Sequence, residues 1–98
     1  MCGRDAKRLE TAGKELGATP ILADVAKEDD VINLVTKTIE ALDGYNVLIN
    51  NAAYGYFSPL TGIDTAKFND VLMTNITGAM MCGRESAKYF TEKNYGNI

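Results

Sequence analysis

Four places in the sequence offer chemically useful side chains. Gly3 and Arg4 stand near the N-terminus, and Asp24 and Val25 close the apolar run that begins at Pro20. Asn50, Asn51, Ala52 and Ala53 follow the run Val47–Ile49, and Asn75 interrupts an otherwise apolar stripe. Small residues and amides directly after a strand let a flat ligand approach the backbone while still offering donors and acceptors. Paired amides also satisfy turns, but two of them after a wholly apolar run point to a site. Asn75 needs a partner, because a buried unpaired amide costs about 1–3 kcal/mol; a break in the pattern of that kind often marks function, although a core Asn bonded to a nearby carbonyl has the same spacing. Histidine is absent, which removes Ser/His/Asp triads, Cys/His nucleophiles and nearly all zinc chemistry.

The elements that must position these residues follow from periodicity and punctuation. Asp5 caps a helix over 6–16, with Ala6, Leu9, Ala12, Gly13 and Leu16 at helical spacing and Gly17 as the stop. The segment 20–24 is too short for a helix and predicts a buried strand. Val31, Val35, Ile39 and Leu42 mark a second helix over 27–42, with Glu28, Asp29 and Asp30 at the positive end of its dipole and Gly44 as its stop. Val47–Ile49 predicts a strand buried on both faces. After a loop rich in Gly, Tyr and Pro, one long helix is expected from Asp64 to about Lys93, and residues 96–98 begin another strand. Helices alternating with strands, without hairpin signals, predict an α/β fold built from parallel βαβ units. In such sheets ligands sit beyond the carboxyl ends of the strands, where the residues named above fall.

Composition bounds the rest. The chain has 98 residues, 46% of them hydrophobic, and a net charge of −3, which fits a single domain over 1–98. Cys2 and Cys82 are too far apart in sequence for a metal pair or a dense disulfide framework, so reduced thiols in a cytoplasmic protein are expected. No run is long enough to span a membrane and no secretory leader is evident. Basic residues are scattered among acidic ones, which predicts neither nucleic acid nor membrane as partner.

The segment VLINNAA, followed by a long helix carrying MTNITGAMM, resembles the short-chain dehydrogenase/reductase family over nearly the whole chain. The resemblance implies a partial Rossmann-type, doubly wound parallel sheet, a βαβαβα segment. It implies a hydride transfer between a nicotinamide cofactor and a small carbonyl or alcohol substrate. Asp24 and Val25 in LADV match the strand end that contacts adenine. Asn51, Ala52 and Ala53 match the motif that lines the cofactor ribose, and Asn75 matches the asparagine of the catalytic Asn/Ser/Tyr/Lys set. Gly3 and Arg4 fall at the end of the family's second strand. An acidic residue there would accept from a 2′-hydroxyl, whereas Gly followed by Arg leaves room and charge for a 2′-phosphate, implying NADP, with NAD as the alternative. Ala53 departs from the usual glycine, and Asn46 stands where aspartate is frequent.

Two further motifs are set aside. Gly13 and Gly17 have a phosphate-loop spacing but lie at the end of a helix. Tyr89 and Lys93 spell YxxxK, yet share Asn75's helix instead of the next one. With no glycine-rich loop and no Ser/Tyr/Lys in the matching positions, the chain is expected to be an internal fragment of a longer oxidoreductase, inactive as it stands and homo-oligomeric through the 64–93 helix. The competing reading is a non-catalytic remnant that persists as a pairing or dimerising module. A phosphoryl receiver is excluded, because Asp29 and Asp30 begin a helix instead of ending a first strand.

Overall fold

The computed structural model describes all 98 residues, Met1–Ile98. Strand β1 (Cys2–Gly3) and strand β2 (Ile21–Leu22) pair in parallel, Cys2 opposite Ile21 and Gly3 opposite Leu22. Helix α1 (Ala6–Leu16) makes the crossover between them. The Asp5 carboxylate accepts the Arg8 N–H at 3.0 Å, capping the helix start. Gly17 ends it at φ 61°, a left-handed turn that glycine adopts without strain. Gly13 is a close-approach residue: a Cβ there would stand 2.9 Å from the Ala18 carbonyl oxygen.

Helix α2 (Glu28–Leu42) carries three acids in its first turn and buries Val31 completely. Its chain reversal uses Asp43 and Gly44, both at positive φ. Beyond it, Val47 forms one parallel bridge to Asn97, with the Leu48 N–H donating to the Asn97 carbonyl and the Asn97 N–H to the Asn46 carbonyl, each at 2.9 Å. A single 3-10 turn, Leu60–Gly62, precedes helix α3 (Thr65–Leu72), whose Asp64 cap accepts from Ala66 and Lys67. A π-helical stretch, Met73–Gly78, joins α3 to α4 (Ala79–Lys93).

Successive residues of β1 face opposite layers. Cys2 packs with Leu48 onto a core of Val25, Val31, Met81 and Cys82 supplied largely by α2 and α4. A Cβ at Gly3 would meet Leu9 of α1. The arrangement is thus α1, sheet, then α2 beside α4. Arg84 of α4 reaches Glu28 of α2, tying the two helices at the surface.

Three expectations need correction. The strand expected over 20–24 is two residues long and its Leu22 is exposed, because β2 is an edge strand paired on one side only. The strand expected to be buried on both faces leaves Val47 59% and Ile49 79% exposed, since only its Asn97 side is paired and nothing covers that face. The single helix expected over 64–93 is one rod with a widened π turn in its middle. Its stripe of Phe68, Leu72 and Ile76 is exposed instead of buried.

Candidate functional site

Because β1 and β2 run parallel, their carboxyl ends arrive at one edge of the sheet. Arg4 follows β1 directly. After β2, the Ala23 N–H continues the ladder to the Gly3 carbonyl at 3.1 Å. Asp24 then turns the chain into α2. One of its carboxylate oxygens accepts the Ala26 N–H at 3.1 Å, and its own N–H donates to the Asp30 carboxylate at 2.8 Å. The other Asp24 oxygen is left to accept from a ligand.

Gly3, Arg4, Asp24, Val25, Ala52 and Ala53 line one cleft of about 200 Å³, completed by Cys2, Ala23, Tyr54 and Thr74. Three segments distant in sequence, 2–4, 23–25 and 52–54, therefore meet there together with Thr74. Asn51 stands outside the lining, exposed in the same turn. Asn50 reaches back to the Ala79 carbonyl at 3.4 Å, a long bond that ties the turn to α4. Small side chains leave the backbone approachable, and Arg4 and Asp24 are the cleft's one cation and one carboxylate. The lining suits a flat, hydrogen-bonding ligand with an anionic substituent.

Asn75 is half-buried within the π stretch. Its side-chain oxygen accepts the Tyr54 N–H at 3.1 Å and its NH₂ donates to the Tyr54 carbonyl at 2.8 Å. The amide thus copies a strand partner and pins the loop that closes the cleft. The expected apolar seam around it is open to solvent, so burial does not demand these bonds. One N–H and one acceptor lone pair of Asn75 stay free for a further partner. π turns arise where a helix must re-aim its side chains and are frequent at functional sites. The neighbouring Gly78 lets the rod approach the site, since a Cβ there would stand 2.8 Å from the Val25 carbonyl oxygen.

Neither thiol is activated: Cys2 lines the cleft and Cys82 is packed in the core. Burial pushes both Cys2 and Cys82 above the ordinary thiol value, and the thiolate is the reactive form. Tyr89 and Lys93 lie elsewhere: Tyr89 stacks on Tyr45 with ring centroids 5.4 Å apart and its hydroxyl crowds Gly44, before the strand whose far end forms the cleft. Ser86, buried beneath them, accepts the Tyr45 hydroxyl at 2.7 Å. A wider groove of about 500 Å³ at Phe90 to Ile98 contains no acid, lysine or arginine. No cluster of His, Cys, Asp or Glu could hold a metal ion, and no helix is long and apolar enough to cross a membrane.

Two lining residues, Tyr54 and Thr74, were not placed in this cleft from the sequence. The available signal was the run Thr74, Asn75, Ile76, Thr77, Gly78, a cluster of weak helix formers inside a helix.

The family whose sequence pattern matches the chain is short chain dehydrogenase, over residues 1–98. The glucose 1-dehydrogenase of Gluconobacter oxydans (strain 621H) is 42% identical over 77 residues, 78% of this chain and 29% of that protein. Among solved structures, a short chain dehydrogenase from Bacillus anthracis superposes with a TM-score of 0.92 at 28% identity, covering 99% of this chain and 43% of that one. An NAD+-bound xylitol dehydrogenase superposes with a TM-score of 0.85, also at 28% identity, over 98% of this chain and 40% of that one. The chain spans about a third of the length of the curated relatives it matches.

Proposed function

The chain belongs to the short-chain dehydrogenase family, and from that premise we propose that it forms the adenosine-binding side and one catalytic position of an oxidoreductase that uses NADP and acts on a small carbonyl or alcohol. The observation that carries this reading is the convergence of two strand ends and the Asn50–Ala53 turn on one cleft with Arg4 at its edge. The lining fits the dinucleotide: Gly3, Ala52 and Ala53 leave room for a ribose, and the free Asp24 oxygen accepts from an exocyclic amine. The Arg4 guanidinium offers the planar fork that pairs with phosphate. When bound, the nicotinamide gives or takes the hydride. Asn75, held by Tyr54, keeps a donor and an acceptor with which to hold a water in a proton relay.

The half-exposed side chains of Phe68, Leu72, Ile76 and Met80 support a homo-oligomer formed through the 64–93 rod. The same apolar surface supports the second reading, a non-catalytic pairing module. The two free cysteines suit the reducing cytoplasm.

The test compares the Kd values of NADP and NAD. NADP is preferred, and Arg4→Ala lowers that preference by at least tenfold, the worth of a charge-assisted phosphate contact of roughly 1.5–3 kcal/mol. An NAD preference that Arg4→Ala leaves unchanged overturns the NADP assignment. Absence of saturable binding of either cofactor favours the pairing module.

A further inference from the structure

We propose that Tyr54 is a positioning residue that presents Arg4 to the ligand and so sets the preference for a 2′-phosphorylated adenosine. This rests on the reading of the cleft as an adenosine site and assigns a role that the strand-end residues alone do not supply.

Arg4 is exposed and follows a two-residue strand, so little in its own element holds its long side chain. The guanidinium carbon instead lies over the Tyr54 ring, 5.4 Å from the centroid. That contact crosses the cleft, from the end of β1 to the loop after Ala53, and both residues line it. Guanidinium planes stack on aromatic faces through the ring quadrupole, and stacking leaves the edge donors of the fork available. The Tyr54 hydroxyl makes no hydrogen bond, so the ring face is the working part. The ring in turn has a fixed base, because both backbone polar groups of Tyr54 are bonded to the Asn75 side chain. Asn75 sits on the π stretch next to Thr74, which is buried and also lines the cleft. The sequence of support thus runs from the π turn to the Tyr54 backbone, from its ring to Arg4, and from Arg4 to the ligand. Ordering the guanidinium before binding removes part of the entropy that phosphate capture would otherwise cost.

The experiment titrates the intact protein and its variants with adenosine 2′,5′-bisphosphate and with adenosine 5′-monophosphate, which differ by the 2′-phosphate alone, and takes the ratio of the two Kd values. Wild type binds the bisphosphate more tightly. Tyr54→Leu lowers that ratio about two- to fivefold, the size of an exposed cation–π contact, and Asn75→Ala lowers it in the same direction. Tyr54→Phe, which keeps the ring, leaves it unchanged. In an Arg4→Ala background Tyr54→Leu has no further effect on the ratio, because the two residues act as one unit. The inference is overturned if Tyr54→Leu weakens both ligands equally, if Tyr54→Phe is as damaging as Tyr54→Leu, or if the Tyr54 and Arg4 effects add. In those cases the adenosine reading stands without it. If wild type binds neither nucleotide saturably, the adenosine reading itself fails and the inference falls with it.

Discussion

Gly78 shows how a single missing side chain sets the depth of the cleft. A Cβ at this position would meet the Val25 carbonyl oxygen at 2.8 Å and its Cγ2 at 3.0 Å, and backbone cannot yield as a flexible side chain does. Gly83, one and a half turns further along the same rod, has nothing within 4 Å of a built Cβ. Both lie in helical backbone, where alanine is favoured over glycine by about 1 kcal/mol. Gly83→Ala therefore stabilises the intact protein by up to about 1 kcal/mol. Gly78→Ala destabilises it by about 1–3 kcal/mol, the usual cost of overpacking, and weakens nucleotide binding through Val25. Urea melts of the two variants make the comparison; equal effects would remove the close-approach role of Gly78. The gathering of Gly3, Arg4, Asp24, Val25, Ala52 and Ala53 at one cleft was legible in the sequence because each ends or follows a short apolar run, and parallel strands bring such ends together. The reach of Tyr54 over Arg4 was not, since it depends on how a loop closes and on a helix 21 residues away.

Helices α1 and α2 were legible because their signals are local: an aspartate cap, a left-handed glycine and a first turn of acids each act within a few residues. Strands were overread because a strand exists by virtue of its neighbours, and the run at 47–49 has one neighbour, at Asn97. Helices α2 and α4 pack through Val31, Met81 and Cys82, and are also linked by the Arg84–Glu28 ion pair, 56 residues apart in sequence, which no local pattern reveals. Glu85 of α4, with a side chain 10% exposed, bonds Lys88 at 2.7 Å and Arg84 at 2.8 Å, and Arg84 continues to Glu28 of α2. The Lys88 and Arg84 hydrogen bonds hold the Glu85 carboxyl below its ordinary value of 4.5, against the opposing effect of burial. A carboxyl with a depressed folded-state pKa stabilises the fold above its unfolded value, and that stabilisation is lost as pH falls through the folded one. Glu85→Gln is therefore less stable than wild type at pH 7, and the gap closes as the pH drops below about 4.5. Urea midpoints across that range would contradict this if the gap stayed constant.

At the scale of the molecule, the chain exposes 6975 Å² and has a radius of gyration of 15.0 Å. A compact protein of 10.6 kDa would expose about 5,500 Å² with a radius near 13 Å. Among the exposed apolar side chains are Val47 and Ile49 of the half-paired strand and Phe68, Ile76 and Met80 of the long rod. Surface of this kind suits cover by a second polypeptide, and it is distinct from the cleft with its small and polar lining. On the proposed function the strand-end cleft, and not the wider groove at Phe90 to Ile98, receives the adenosine half of NADP. Amide NMR of the intact, isotopically labelled protein titrated with NADP tests it directly. Saturable shifts are expected at Gly3, Arg4, Asp24, Val25, Ala52 and Ala53, with Tyr54 following through its Arg4 and Asn75 contacts and the amides of Thr91, Tyr95 and Gly96 unmoved. Shifts centred on those last three residues, or none that saturate at the strand ends, would contradict it.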